Sequence, residues 1–384
     1  MLKCQKDKFS LHPDIHYFNN ARKGPLLKSA ENAAIASLVK QRNPSDFPNS
    51  CFFEEVDLVR ILFGRLVKAP AQNVAIIPSV SYGFASVLNN TPAKKKGNAI
   101  TIKDEFPSGY LTLEKWCEVN DNDLVVIGPD QNNPTAESWN NNILDSINDD
   151  TSVVLMCSVH WMNGLKFDLE SIGKRCKEVG ARFYLDGTQS VGVLPMDVTR
   201  FNVDALVCGT YKWLFGPYSV GLSYMSDTFN DGRPLEESWM NRANAKDFTS
   251  LTRYESKYFE GAARYSVGET SNFVLMSMLV ESLKQIEEWS PEKIQNYCKT
   301  LIVPLKEFLL DNKLAVWEEP YFSNHLFTLK LPDHISITDL QTTFKKNKIY
   351  ASQRGTGIRL SVNVFNEHFN IETLINSIKS VLCQ

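Results

Sequence analysis

Seven short apolar or β-branched runs recur along the first two thirds of this chain, with amphipathic stretches between them. The runs cover residues 74–77, 99–102, 124–127, 153–157, 183–185, 205–208 and 220–224. One intervening stretch, 168–178, opens with Asp168, a favourable N-cap, and repeats apolar residues at helical spacing. Because strands alternate with helices, the pattern predicts an α/β fold around one mostly parallel, doubly wound sheet.

The pattern changes near residue 273. Two long amphipathic helices are expected there, at 273–288 and 291–311, followed by strand candidates at 315–317, 326–331, 349–352 and 358–362. The length of 384 residues also exceeds that of one common domain. We therefore expect a large domain over 29–272, a smaller α+β domain over 273–384, and an N-terminal arm over 1–28 that has turn residues but no sustained period.

Composition excludes several classes of protein. The 41 basic and 44 acidic residues give a net charge of −3, without the basic excess typical of proteins that bind nucleic acid or anionic membranes. No apolar leader and no run of about 18 apolar residues is visible, so we expect a soluble, cytoplasmic protein. Eight cysteines without a C-x-x-C pair, and six histidines without an H-E-x-x-H motif, predict reduced structural thiols and no metal site.

The residues that suggest chemistry concentrate between 183 and 222. Asp186 ends an apolar strand, and the carboxyl ends of strands are where ligands bind in open parallel sheets. Lys212 follows 26 positions later, between Tyr211 and Trp213. Such a lysine either extends its amine to solvent or is partly desolvated, with a lowered pKa that suits Schiff-base formation. Asp186 favours the second interpretation, because a pyridoxal phosphate site pairs a Schiff-base lysine with a carboxylate for the pyridinium nitrogen.

Two motifs carry a resemblance to a known family. DGTQSVG at 186–192, followed by GTYKWLFGPYSVGLSY at 209–224, resembles the class V aminotransferases, which include cysteine desulfurases, kynureninases and related lyases. The similarity extends from about Tyr17 to the end of the chain. It implies a fold type I pyridoxal 5′-phosphate enzyme with a seven-stranded large domain, a smaller C-terminal domain, and a homodimer whose active sites lie near the subunit interface.

The resemblance assigns the centre of the site. Lys212 matches the family's Schiff-base lysine, which also moves the Cα proton of the substrate. Asp186 matches the carboxylate that keeps the pyridine nitrogen protonated. Gln189 matches the side chain that donates towards the phenolic oxygen of the cofactor; the alternative is a polar residue at a helix N-terminus.

A strand, turn and helix are expected at 76–88. Val80 and Ser81 match the family's phosphate-binding turn, where a hydroxyl and backbone N–H groups hold the phosphate. Taken alone, Ser79 or Ser81 would be an ordinary N-cap. Tyr211 occupies a position where desulfurases carry a phosphate-contacting His and kynureninases a Tyr.

The resemblance also assigns an aromatic wall. Phe106 lies where the family stacks an aromatic ring or a His on the cofactor, and the alternative is a core residue. Trp161 stands where desulfurases have a substrate-facing Asn, which indicates a more enclosed pocket. We interpret the preceding His160 as a packing or supporting residue.

Arg359, in GIRLSVNVFN at 357–366, matches the arginine that binds the substrate carboxylate with a bidentate fork; the alternative is a solvent-facing strand residue. The segment RYSVGETSN at 264–272 resembles the loop that reaches the neighbouring subunit's site, which makes Ser271 or Asn272 a candidate for a phosphate or substrate contact. Arg22 and Lys23 depart from the small residues expected in their segment, which leaves the amine side of the pocket open.

Function follows from these matches as an expectation. The resemblance implies an enzyme that acts on the α-amino group of a small amino acid, most directly an aminotransferase. A Cβ lyase of the kynureninase or C–S type stays open, and Phe106, Trp161 and Tyr211 favour it. Residues 350–358 lack the cysteine that desulfurases present there, so persulfide transfer is not expected. A protein that keeps the fold without activity is disfavoured by the intact Lys212 and Asp186.

Overall fold

The computed structural model describes residues 2–383. Its strands are β1 His16–Tyr17, β2 Val74–Ile77, β3 Asn98–Ile102, β4 Asp123–Ile127, β5 Thr151–Cys157, β6 Arg182–Asp186, β7 Ala205–Gly209, β8 Gly221–Met225, β9 Leu326–Lys330, β10 Ile349–Tyr350, β11 Ser352–Arg354 and β12 Gly357–Ser361. Its α-helices are α1 Lys28–Lys40, α2 Cys51–Val67, α3 Val80–Leu88, α4 Pro107–Asn120, α5 Ala136–Ser146, α6 Leu169–Val179, α7 Phe273–Trp289, α8 Pro291–Leu301, α9 Val303–Asp311, α10 Ile337–Lys346 and α11 His368–Leu382.

One seven-stranded sheet forms the centre of the molecule, in the order β2-β8-β7-β6-β5-β3-β4. Only β8 runs antiparallel to its neighbours within the described sheet. Each of the seven apolar runs in the sequence corresponds to one of these strands, which confirms the predicted α/β class and the mostly parallel sheet.

The central strands, such as β5, are nearly continuous apolar runs because both faces of the sheet are buried there, whereas the edge strand β4 is only partly buried. Val154 and Met156 of β5 belong to one hydrophobic cluster, whereas Val153 and Leu155 belong to the cluster on the opposite face. Successive side chains of a strand point to opposite faces, so a strand covered on both sides reads as a continuous apolar run.

The topology gathers the functional segments at one edge. Strands β3, β5, β6 and β7 are parallel, and β2 runs in the same direction because it and β7 both pair antiparallel with β8. Their carboxyl ends lead directly into the segments that hold the predicted site residues. This is the edge at which doubly wound sheets bind ligands.

The predicted helix at 168–178 is confirmed with its cap. Asp168 Oδ1 accepts a hydrogen bond of 3.1 Å from the backbone N–H of Ser171, and α6 ends at Gly180 in the left-handed region. This helix packs its apolar stripe, including Ile172 and Cys176, into the core.

The C-terminal part departs from the expected elements in three places. The strand expected at 349–352 is two short strands, β10 and β11, which belong to different sheets. The single helix expected at 291–311 is two helices, α8 and α9, separated at Ile302. Pro304 stands in the first turn of α9, where its missing N–H is tolerated, whereas it would interrupt a continuous helix. The strand expected at 315–317 is wrong: Leu314 O accepts from Lys330 N, but Trp317 stacks on Phe322 instead of extending a ladder.

A second, three-stranded sheet has the order β11-β12-β9. The N-terminal segment, expected as an arm, is anchored on this part of the chain, since β1 pairs in parallel with β10 and Phe18 N donates to Tyr350 O at 2.8 Å. Phe18 is fully buried. The division of the chain at residues 28 and 272 stays a prediction. No helix between residues 2 and 383 is both long and apolar enough to cross a bilayer.

Candidate active site

A cavity of about 340 Å³ lies at the carboxyl edge of the large sheet. Eight residues predicted from the sequence line it together: Val80, Ser81, Phe106, Trp161, Asp186, Gln189, Tyr211 and Lys212. Ser79, Cys157, Thr188 and Tyr218 contribute further lining. Arg359 and Asn272 do not belong to the lining of this cavity, and their positions are described below.

Lys212 follows β7 and is 7% exposed, so its amine does not extend into solvent. Its Nζ lies 5.7 Å from the centroid of the Phe106 ring and 5.6 Å from that of Tyr211. Burial lowers the pKa of Lys212 to about 8; Asp186 opposes this shift, and Arg359 and Arg354 add to it. The amine is therefore neutral, and nucleophilic, at a much lower pH than an exposed lysine.

Asp186 is the last residue of β6 and is also buried. Burial raises its pKa, while hydrogen bonds from Thr188 and the charge of Lys212 lower it. The Thr188 backbone N–H donates to Asp186 Oδ1 at 2.8 Å, which fixes the carboxylate in an Asx-type turn. The sequence analysis missed Thr188, although an Asp followed two residues later by Thr is the local signal for such a turn.

Gln189 is held by both ends of its amide. Its Oε1 accepts from Trp213 Nε1 at 2.8 Å, and its Nε2 donates to Ala21 O at 3.1 Å. His325 supports this arrangement, because its ring packs edge-on against Trp213 with centroids 4.5 Å apart and its Nε2 lies 2.9 Å from Gln189 O. One N–H of Gln189 remains for a ligand.

Two residues of this network were not predicted. Trp213 stands beside Lys212 in the motif, and that adjacency was the available signal. His325 is 136 positions from Gln189 and had no local signal. Burial lowers the pKa of His325 to about 3, so its ring is neutral and supports Trp213 without adding charge.

The turn before α3 forms one end of the cavity. Ser79, not Ser81, is the N-cap of this helix, since its Oγ accepts from Tyr82 N at 3.1 Å. The hydroxyls of Ser79 and Ser81 are 2.9 Å apart. Ser81 therefore presents its hydroxyl at the helix N-terminus, where partial positive charge and free N–H groups favour an anion.

The opposite wall is aromatic. The rings of Phe106 and Trp161 meet edge to face, with centroids 5.5 Å apart and an interplanar angle of 90°. Trp161 Nε1 donates to Asp104 O at 2.7 Å, which holds the indole over the cavity. His160, as interpreted from the sequence, packs: it is 2% exposed and its ring lies against Trp139.

Glu105 was not predicted from the sequence. Its carboxylate supports the aromatic wall by accepting hydrogen bonds from two backbone N–H groups. Its Oε1 accepts from Phe106 N at 2.7 Å and its Oε2 accepts from Cys157 N at 2.6 Å. Burial, together with the charge of Asp186, raises the pKa of Glu105 to about 8. The same burial raises the pKa of the Cys157 thiol, which makes Cys157 a poor nucleophile despite its place in the lining.

Arg359 on β12 is 2% exposed, which excludes a solvent-facing arginine. Its Nη1 donates to Trp161 O at 2.8 Å, while its Nε and Nη2 have no hydrogen-bond partner among residues 2–383. Burial lowers the pKa of Arg359 to about 9, and Arg354 contributes. Buried, unpartnered donors of a guanidinium are suited to a carboxylate supplied by a ligand.

Within a single chain, Asn272 does not line the cavity. Its Oδ1 accepts from Leu275 N at 3.0 Å, so it is the N-cap of α7. Ser271 is buried near Met240. A substrate contact by Asn272 stays a prediction that depends on a second subunit.

The polar and aromatic groups around the cavity fit pyridoxal 5′-phosphate. Lys212 offers an amine, Asp186 a buried carboxylate for a protonated ring nitrogen, and Gln189 an N–H for an oxyanion. Ser81 and the N-terminus of α3 offer donors for a phosphate, and Phe106 offers a ring face. The fit depends on the buried carboxylate of Asp186. A negative charge is costly to bury unless a positive charge lies beside it, and a protonated pyridine ring supplies that positive charge.

Comparisons with known proteins agree with this geometry. The sequence profile of the aminotransferase class-V family matches residues 49–375. An uncharacterized aminotransferase, YcbU, of Bacillus subtilis is 23% identical over 92% of this chain and 93% of its own length. A kynureninase of Cryptococcus neoformans is 26% identical over 47% of this chain and 43% of its own length.

The fold also matches solved structures. The cystine C-S lyase C-DES, in complex with its product cysteine persulfide, superposes with a TM-score of 0.81 at 18% identity, over 96% of this chain and 98% of that one. This likeness confirms the expected fold type I architecture. The matched family profile spans most of the chain and includes every residue of the cavity described above. The chain is an enzyme of the class V aminotransferase family, with pyridoxal 5′-phosphate as its cofactor.

Proposed function

We propose that the protein is an aminotransferase that removes the α-amino group of a small amino acid. The observation that carries this proposal is the buried Lys212 amine, which is placed to act as a base inside the cavity. Lys212 supplies one base with a pKa of about 8, and Phe106, 5.7 Å away, has no proton to give or take. Transamination needs one base that takes the proton of the substrate Cα and delivers it two atoms away, on the far side of the amino nitrogen, and such a site would provide it.

Pyridoxal phosphate, when bound, supplies an aldehyde carbon that combines with amines and a conjugated ring that accepts the negative charge developing at the substrate Cα. Asp186 holds the proton on the ring nitrogen, because its buried carboxylate is stabilised by that positive charge. Gln189 donates its remaining N–H towards the phenolic oxygen. The hydroxyl of Ser81 and the N-terminus of α3 bind the phosphate.

The substrate is oriented by Arg359. Its free Nε and Nη2 bind the α-carboxylate in a bidentate manner, and its bond to Trp161 O keeps the guanidinium plane fixed. This orientation directs the Cα proton towards Lys212 Nζ, which takes it and returns it. Phe106 and Trp161 exclude water from that side of the cavity, which lowers the exchange of the proton with solvent.

A two-stage assay tests the proposal. Purified holoenzyme is mixed with each of the common amino acids, first without an acceptor and then with a 2-oxo acid, and the 2-oxo acid products and ammonia are measured. An aminotransferase releases about one equivalent of 2-oxo acid per site without an acceptor, turns over when an acceptor is added, and releases no ammonia. Continuous release of ammonia without an acceptor contradicts the proposal.

Cβ-lyase chemistry is the second candidate, and the aromatic cavity supports it. Phe106 and Tyr211 occupy positions where kynureninases carry the same residue types, and Trp161 encloses the pocket. Among proteins similar to this chain, one is named a kynureninase, and one with a similar fold is a cystine C-S lyase. In the same assay a C–S lyase releases ammonia, a 2-oxo acid and a sulfur-containing fragment in equal amounts without any acceptor. An enzyme of the kynureninase type, which cleaves the Cβ–Cγ bond, releases alanine and a carboxylic acid without ammonia, so alanine is measured as well.

A homodimer is part of the proposal. Ile35, Leu38 and Val39 expose an apolar strip on α1, and Tyr218 is 66% exposed at the cavity. A second subunit that covers such side chains would complete the site, which agrees with the expectation from the family resemblance that active sites lie near a subunit interface. Light scattering should give twice the mass of one chain.

The eight free thiols suit the reducing cytoplasm, where we expect the enzyme to act.

A further inference from the structure

Two arginines lie side by side on the C-terminal sheet. In the antiparallel pair of β11 and β12, Ser352 lies opposite Arg359, and Arg354 lies opposite Gly357. Residues two apart on a strand share a face, so Arg354 and Arg359 are diagonal neighbours on the same face. Diagonal partners of this kind are separated by roughly 7 to 8 Å, which is within reach of long side chains.

Arg354 is directed towards the substrate side of the cavity. Its guanidinium carbon lies 5.8 Å from the centroid of the Trp161 ring, and Trp161 lines the cavity. Both Arg354 and Arg359 lie close enough to lower the pKa of the Lys212 amine.

Arg354 and Arg359 have no anionic counterpart in the described part of the chain. Neither of them forms an ion pair with a carboxylate anywhere between residues 2 and 383. Nε of Arg354 is buried without a partner there, and its Nη1 donates only to the neighbouring Gln353 O, at 2.7 Å. Like charges gathered in a partly desolvated place are unfavourable unless an anion joins them.

One carboxylate cannot satisfy both arginines. The two free donors of Arg359, Nε and Nη2, match the two oxygens of a single carboxylate in the bidentate geometry. That pairing leaves Arg354, stacked on Trp161, with its own unpartnered Nε. A second anionic group, a few bonds away from the first, would neutralise it.

We propose that the substrate is an amino acid with a second acidic group on its side chain, and that Arg354 binds that group. The inference rests on the proposed function, because it takes Arg359 as the anchor of the α-carboxylate. A side-chain carboxylate and a phosphate ester share the required chemistry, since the planar guanidinium recognises both. Arg354 is therefore a specificity-determining residue, and Trp161 holds its guanidinium in place.

Matched substrate pairs test this inference. The kcat/KM of glutamate, aspartate and O-phosphoserine is compared with that of glutamine, asparagine and serine, in wild type, Arg354→Gln and Arg354→Lys. We expect the acidic member of at least one pair to be preferred about 10-fold or more. Arg354→Gln should lower that ratio by about 10- to 100-fold, and Arg354→Lys should retain part of it. Arg42→Gln, an exposed arginine that does not line the cavity, is the control and should keep the ratio.

A binding measurement separates this inference from the proposed function. Calorimetry compares the unreactive dicarboxylates succinate and glutarate with butyrate and valerate, in wild type and Arg354→Gln. Tighter binding of the dicarboxylates that is lost in Arg354→Gln supports a second anion site even if no amino acid reacts, an outcome that would contradict only the proposed function. Amino acids that react without any acidic preference, or dicarboxylates that bind equally to both proteins, would overturn the inference.

Discussion

Trp213 Nε1 donates a hydrogen bond of 2.8 Å to Gln189 Oε1, and this bond decides which way the Gln189 amide points. Because the oxygen is engaged by Trp213, the amide nitrogen must face Ala21 O and the cavity. The residue after the proposed Schiff-base lysine thus positions the amide that we expect to donate to the cofactor. Lys212 and Trp213 are adjacent in the motif. The first contributes an amine, and the second contributes an indole that orients the Gln189 amide.

Trp213→Phe should weaken cofactor binding without removing it. The substitution leaves Gln189 Oε1 without its donor, so the amide can rotate and its N–H loses its fixed direction. We expect the Kd of pyridoxal phosphate, measured by fluorescence titration, to rise about 2- to 12-fold, the range for loss of one neutral hydrogen bond. Trp239→Phe, a partly exposed tryptophan, is the control. Equal cofactor affinity in both variants would show that Trp213 only packs.

Asp186→Asn should separate cofactor binding from turnover. A neutral amide cannot stabilise the protonated ring nitrogen, so the ring accepts less charge from the substrate Cα. We expect the variant to take up the cofactor and to lose at least about 100-fold in kcat, on the scale of one strong electrostatic interaction. Asp149→Asn, which changes an exposed carboxylate, should keep full activity. Turnover near that of wild type would contradict the assignment.

Glu105 should make the stability of the apoenzyme depend on pH. Its pKa is raised to about 8 in the folded chain from an ordinary 4.5, so the folded state binds more protons than the unfolded state between these values. The free energy of unfolding should therefore fall as the pH rises from about 5 to 8, by at most about 1.4 kcal/mol per pH unit from this group.

Denaturant titrations at several pH values check this expectation. The difference in unfolding free energy between wild type and Glu105→Gln should change across that range, while the exposed Glu307→Gln should follow wild type. Because the glutamine amide cannot accept from both Phe106 N and Cys157 N, the variant should also lose about 1 to 3 kcal/mol at pH 5. A difference that does not vary with pH would mean that Glu105 is ionised in the folded state.

Arg359→Ala should weaken the binding of every amino-acid substrate. Loss of a bidentate, charge-assisted pair is on the order of 2 to 3 kcal/mol, so the apparent affinity should fall roughly 30- to 150-fold. The absorption spectrum of the holoenzyme without substrate should stay the same, because Arg359 does not hold the cofactor. An unchanged KM for every accepted substrate would move the carboxylate anchor to another arginine, with Arg354 the nearest candidate on the same face.

The large sheet was predictable because each strand can be recognised from its own residues. Each buried parallel strand must be apolar on both faces, so residues 74–77 or 153–157 stand out without any knowledge of their neighbours. Four cavity residues were predicted from the two motifs, namely Asp186, Gln189, Tyr211 and Lys212. The other four, Val80, Ser81, Phe106 and Trp161, were predicted from the family resemblance that these motifs carry.

The remaining features depend on contacts that are distant in sequence. His325 supports Trp213 and Gln189 from more than 100 residues away, and no periodic signal marks it. The unpaired state of Arg359 and its diagonal relation to Arg354 follow from the pairing register of two strands, which the sequence does not reveal. Tertiary packing likewise decided that 315–317 is not a strand, because Trp317 gains more by stacking on Phe322.

The central claim is that Lys212 is the residue that carries the cofactor. Purified holoenzyme should be yellow, and reduction with sodium borohydride should remove the visible band and attach a pyridoxyl group stably to the protein. Peptide mass mapping should then find the label on the peptide that contains Lys212, and Lys212→Ala should take up no label. A label on a different lysine, or a protein that stays colourless after addition of pyridoxal phosphate, would contradict the account.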